Sequence, residues 1–236
     1  MSARDRERAR RRVAELSTPV DVVELTALAE HADVVVECAP AAVFAEVAGP
    51  AVESGRTLVT LSVGALLDHE HLIGRAQETG AQIIVPSGAL LGLDAVRAAA
   101  QGDIQSVRMV TRKPPRGLAG APLVVERGID LDRLETPLRL FEGNARDAVK
   151  GFPANVNVAA ALGLAGLGPQ ATQLEIWADP AVERNIHHIE VVADSARFEM
   201  TIENVPSDDN PRTGRIVALS VVATLKAMIA PLRIGA

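Results

Sequence analysis

The chain has 236 residues, 48% of them hydrophobic and 23% charged, which suits one large or two small folded domains and argues against disorder. Its single Cys excludes an intrachain disulfide framework and a thiolate zinc cluster. An aromatic content of 2% and a net charge of −6 argue against nucleic-acid binding through stacked rings or phosphate attraction.

Residues 4–12 hold six Arg against Asp5 and Glu7, and read as a solvated helix with Glu7 and Arg11 spaced to pair. The N-terminus runs straight into this charge with no apolar segment behind it. No apolar run reaches the roughly 20 residues of a membrane helix, so no membrane partner and a cytoplasmic location are expected.

From residue 21 the pattern alternates. Val22 to His31 reads as helix, and Asp33 to Glu37 as a buried parallel strand. Ala41 to Ser54 is helical and stops at Gly55, and Thr57 to Leu61 is a strand. Asp68 to Thr79 is helical before Gly80, and Gln82 to Val85 is a strand ended by Pro86. Strands alternating with helices predict a parallel, doubly wound α/β sheet, whose ligands bind at the carboxyl ends of strands. Those ends are Cys38-Ala39-Pro40, Ser62-Val63-Gly64 and Ser87-Gly88-Ala89.

The pattern then changes. Asp94 to Gln101 reads as helix and Ile104 to Thr111 as strand, while residues 117–140 are punctuated by Gly and Pro and resist assignment. Asn144 to Lys150 and Asn155 to Leu167 read as helices. Three alternating segments follow, Thr172 to Trp177, Asn185 to Val192 and Ala196 to Glu203, and predict an antiparallel sheet in a second, α+β domain. Arg212 to Ile229 closes the chain as a helix with an apolar stripe at Ala218, Val221, Val222, Leu225, Met228 and Ile229.

The chemistry-bearing residues are few. His187 and His188 are adjacent in a strand, so they face opposite ways and do not chelate one ion; no metal site is expected. Cys38 sits at a strand end, where a lone Cys is either reactive or a small buried hydrophobe. Gly88-Ala89-Leu90-Leu91-Gly92 follows a strand without forming G-x-G-x-x-G and reads as a tight turn of small residues. His187, near the start of its strand, is either structural or an acid–base group working near neutral pH.

Longer segments carry a family resemblance. Ala32-Asp33-Val34-Val35-Val36-Glu37, Leu61-Ser62-Val63-Gly64-Ala65-Leu66, Pro86-Ser87-Gly88-Ala89, Thr111-Arg112-Lys113-Pro114-Pro115 and Phe152-Pro153-Ala154-Asn155-Val156-Asn157 resemble the L-aspartate dehydrogenase family. Ala178-Asp179-Pro180, Arg184-Asn185-Ile186-His187, Glu203-Asn204-Val205-Pro206 and Asn210-Pro211-Arg212-Thr213 do the same, in order along the chain. The resemblance implies an α/β Rossmann-like dinucleotide-binding domain over 1–92 and 207–236. It implies an α+β catalytic and dimerisation domain with a mainly antiparallel sheet over 93–206. It further implies oxidation of L-aspartate to iminoaspartate with NAD or NADP, in reverse the amination of oxaloacetate with ammonia, in NAD biosynthesis by a homodimer. By position, His187 matches the family's active-site histidine, and Ala89 and Asn157 its nicotinamide-cofactor contacts. Lys113, Arg184, Arg212 and Thr213 are candidates to bind the two substrate carboxylates.

The family opens with a strand, a G-x-G-x-x-G turn, a helix and a second strand, whereas Ser2-Ala3-Arg4-Asp5 resembles the segment just after that second strand. The Rossmann-like sheet is therefore expected to be incomplete, lacking the first βαβ unit. Two readings follow: a dehydrogenase whose start is misplaced, or a redox-inactive short homologue acting as a small-molecule-binding or oligomeric interaction protein. Arg4, a cation at that place, suits the 2′-phosphate of NADP.

Overall fold

In a computed structural model, residues 1–208 and 213–235 are described, so Arg212 lies outside the described residues. The chain divides into two compact units, Met1–Val85 and Pro86–Ala236.

In the first unit, α1 (Arg6–Val13) is capped by Asp5, whose carboxylate accepts from the Arg8 N–H at 2.9 Å. Its Glu7 pairs with Arg10, one residue short of the expected Arg11, and Arg6 pairs with Glu24. The helix expected over 22–31 is a 3-10 helix confined to Leu25–Glu30, closed by i→i+3 bonds such as His31 N–H to Leu28 O at 3.2 Å. Next come β1 (Val34–Glu37), a 3-10 turn (Ala41–Val43), α2 (Phe44–Glu53) and β2 (Thr57–Thr60). The single helix expected from Asp68 is instead two, α3 (Val63–Asp68) and α4 (His71–Thr79). The break falls at His69, whose N–H bonds back to Leu66 O and whose ring Nδ1 is bonded to Ala65 O, both at 2.9 Å. Val63 and Gly64 therefore belong to a helix and not to a strand-end loop. Gly80, at φ 75°, ends α4 before β3 (Gln82–Ile84).

The three strands pair in parallel in the order β1-β2-β3, as expected for a doubly wound sheet. Phe44, Val47, Ala51, Leu58, Leu66 and Leu72 fill the core beside it. The fully buried Phe44 and Leu58 each contribute about 2–3 kcal/mol of apolar burial. One buried acid latches the carboxyl ends of β1 and β2. The Glu37 carboxylate accepts from Thr60 Oγ1 (2.6 Å), Ser62 Oγ (2.9 Å), Ala39 N–H (2.8 Å) and Ser62 N–H (3.2 Å). Four donors offset the cost of burying that charge.

In the second unit, α5 (Leu93–Ala99) leads into β4 (Ile104–Lys113) and a 3-10 turn (Pro115–Gly117). The unassigned stretch holds α6 (Pro122–Glu126) and the start of β5 (Leu138–Asn144). β5 hides its period because it lies at the sheet edge with only Leu140 buried. After it come α7 (Ala145–Gly151), α8 (Asn157–Ala165), β6 (Gln173–Ala178), β7 (Asn185–Ala193), β8 (Arg197–Asn204) and α9 (Arg215–Ile229). The sheet runs β5-β6-β4-β7-β8, with β4–β6 parallel and the other neighbours antiparallel. It is mainly antiparallel, as expected, yet β6 and β7 do not pair. β4 lies between them as the central strand, with its face of Val107, Met109, Thr111 and Lys113 buried. The stripe expected on α9 is offset: Val222 and Ile229 are exposed, and Ser220 is the buried residue of the helix. Among the described residues, no helix is long and apolar enough to cross a membrane.

Candidate active site

The alternation of β7 sends His187 and His188 to opposite faces. His188 Nδ1 meets Thr201 Oγ1 at 2.9 Å on the open face. His187 is 2% exposed and shares a hydrogen bond of 3.1 Å between its Nδ1 and Thr111 Oγ1, its register partner on β4. Two residues on, Lys113 occupies the same face of β4. It is 6% exposed, and its Nζ donates to Asn155 Oδ1 at 2.8 Å. Asn155 sits in the turn before α8, where its N–H bonds Phe152 O at 2.8 Å.

Burial dominates the electrostatics here. It pulls Lys113 down to about 8. Burial, and then the charge of Lys113, pull His187 down to about 3. His187 is therefore a neutral imidazole, with Nδ1 hydrogen-bonded to Thr111 Oγ1.

A second cluster forms around Ala89. On β8, Ile202 opposes His187, and Asn204 lies two residues beyond it on the same face. The buried Asn204 donates through Nδ2 to Ala89 O at 3.1 Å. Ser220 Oγ of α9 accepts from the Gly88 N–H at 3.1 Å and donates to Val217 O at 2.7 Å. Gly88 has φ 62°, the left-handed conformation that lets the loop double back, with Leu90 N–H on Ser87 O at 2.9 Å. The loop is thus clamped through side chains 115 and 132 residues away. Among the described residues, the Ala89 N–H meets no acceptor. A small side chain, a fixed backbone and a spare donor fit a planar carboxamide.

The structure brings His187 and Lys113 to one face and end of this sheet, with Thr111 and Asn155 as partners that sequence reasoning had not assigned. Their signals were present: Thr111 and Lys113 share a strand parity, and Asn155 lies within a motif already singled out. Asn204 and Ser220 carried no local signal. Asn157 is half-buried at the first position of α8. Arg184 is exposed just ahead of β7, and Thr213 is half-buried ahead of α9 with its carbonyl accepting from Ser207 N–H at 2.8 Å. Cys38 is exposed, but desolvation of its thiol and then the Glu37 charge raise its pKa, which disfavours the reactive thiolate. Among the described residues, no cluster of His, Cys, Asp or Glu can hold a metal ion.

The family model described as aspartate dehydrogenase, C-terminal, matches residues 94–228. That of the homoserine dehydrogenase NAD-binding domain matches residues 2–86. The chain belongs to the L-aspartate dehydrogenase family. It is 56% identical over 235 residues to L-aspartate dehydrogenase 3 of Bordetella bronchiseptica, covering 100% of this chain and 86% of that one. It is 57% identical over 220 residues to the L-aspartate dehydrogenase of Bradyrhizobium diazoefficiens, covering 93% and 78%. The crystal structure of aspartate dehydrogenase from Thermotoga maritima superposes with a TM-score of 0.74 at 24% identity, covering 95% of this chain and 94% of that one, and shows the shared fold. The two family models and these relatives support the dehydrogenase reading over that of a redox-inactive interaction protein.

Proposed function

We propose that His187 is the proton-exchanging residue in the NAD(P)-dependent oxidation of L-aspartate to iminoaspartate. The observation that carries this is a buried, neutral imidazole with Nδ1 held by Thr111, beside the buried cation Lys113. NAD(P)+, when bound, supplies the two-electron acceptor for the α-hydrogen. His187 takes the proton that the substrate's amino group must shed, through Nε2. Thr111 holds the ring in one orientation. Ala89 offers its N–H to the carboxamide, Asn157 bonds the same group, and together they select the ring face presented to the substrate. Lys113 pairs with one substrate carboxylate, with Arg184, Arg212 and Thr213 as the groups considered for the other.

The same reading carries ammonia as co-substrate of the reverse reaction, a homodimer built on residues 93–206, and a cytoplasmic enzyme. Substrate identity is tested by following NAD(P)H formation at 340 nm with L-aspartate, D-aspartate and L-alanine. Turnover with L-aspartate alone supports the reading. Absence of turnover with L-aspartate, with both NAD+ and NADP+, defeats it.

A further inference from the structure

The Lys113 ammonium is buried, and its partner among the described residues is a neutral amide, Asn155. The imidazole beside it is also buried, with a neutral hydroxyl, Thr111, as partner. A buried cation of this kind is costly unless something neutralises it. Among the described residues, the neighbouring strands and α8 offer no acid to this face. On β6, Glu175 points to the open face and pairs with Arg108 at 2.5 Å. Asp179, just beyond β6, is occupied by Arg112 at 3.0 Å and by the Ala181 N–H at 2.9 Å. On β7 and β8, His188 and Glu199 approach each other across the open face. Helix α8 and the turn before it carry no titratable side chain. A ligand's carboxylate would supply the counter-charge that this face lacks among the described residues.

We propose that this site is completed and armed by its own substrate: a carboxylate of the incoming dicarboxylate seats on Lys113, and its negative charge converts His187 into a group that accepts the amino proton. The proposal rests on the reading above, the anion seat on Lys113 as a carboxylate partner and the final clause on His187 as the acid–base group. In the free site burial disfavours a cation on His187, and the Lys113 charge disfavours it further. A bound carboxylate offsets the Lys113 charge and so makes an added proton on His187 less costly. Proton transfer is then coupled to occupancy: the proton leaves the substrate nitrogen for His187 Nε2 only when the carboxylate is in place.

Succinate, a dicarboxylate with no amino group to oxidise, is the probe. The His187 ring is followed by 15N-resolved NMR between pH 5 and 8 in the full chain, assigned by comparison with His187→Gln. Without succinate the ring is expected to stay neutral throughout. With saturating succinate its titration midpoint is expected to move up toward the ordinary imidazole range. Lys113→Met, an apolar substitution of similar length, is expected to weaken succinate binding about ten-fold and to abolish the succinate-dependent movement. Asn155→Asp places a built-in carboxylate beside Lys113, and is expected to raise the His187 midpoint without any ligand while weakening succinate. A ring that titrates near its ordinary value in the free protein overturns the proposal. So does a midpoint unmoved by saturating succinate, or succinate binding unchanged in Lys113→Met. Turnover of His187→Ala separates the two layers: full activity beside an intact succinate effect removes the base and leaves the anion seat.

Discussion

Acid should weaken this protein through one identifiable group. His187 has an ordinary value of 6.5 and is held at about 3 in the native state, first by burial and then by Lys113. Its native value is lowered, so across that window the unfolded chain binds the proton and the native chain does not. Stability therefore rises with pH from 3 to 6.5, and is lost as pH falls through 6.5 toward 3. Between pH 7 and pH 5 the loss assigned to this residue is about 2 kcal/mol. Lys113 adds nothing in that interval. Its native value of about 8 and ordinary value of 10.5 both lie above it, so both states carry its proton. The perturbation is His187→Gln, which removes the titrating group while leaving a polar partner for Thr111. Urea unfolding of wild type and variant at pH 7 and pH 5 gives the double difference. Wild type should lose about 2 kcal/mol more than the variant. Parallel losses would show that His187 is protonated in the native state and that the burial argument fails.

Two further substitutions test other parts of the account. Asn204→Ala frees the Ala89 carbonyl from its anchor at 3.1 Å, and should weaken NAD(P)H binding about five-fold in a fluorescence titration. An unchanged dissociation constant would detach the Ala89 loop from cofactor binding. Glu37→Gln presents an amide N–H₂ to a pocket built of four donors, and should cost about 2–4 kcal/mol in urea unfolding. A loss below about 0.5 kcal/mol would show that the latch contributes nothing to stability.

Local periodicity carried the sequence reading where one face of an element meets the core. The alternation of β7 put His187 and His188 on opposite faces, and that parity is what the structure shows. The parallel pairing of β1, β2 and β3 followed from buried β-branched runs separated by helices. Long-range choices were not written locally. Nothing between residues 173 and 193 announces that β4, about 70 residues earlier, inserts between β6 and β7. The break between α3 and α4 depends on a His69 ring bond to a carbonyl four residues back, which competes with helix continuation and has no signature in apolar spacing. Of the candidate site, the titratable members His187 and Lys113 were legible in the sequence. Their partners Thr111 and Asn155 meet them only through contacts 76 and 42 residues apart in sequence. Asn204 and Ser220, which clamp the Ala89 loop, follow the same rule.

The most direct measurement is the initial rate of NAD(P)H formation from L-aspartate by the full chain and by His187→Ala, with the dissociation constant of NAD(P)H determined for both. Loss of the proton-exchanging group should lower turnover by about 10²–10⁴-fold and leave cofactor binding unchanged. Equal turnover in the two proteins would contradict the assignment of His187 as the acid–base residue.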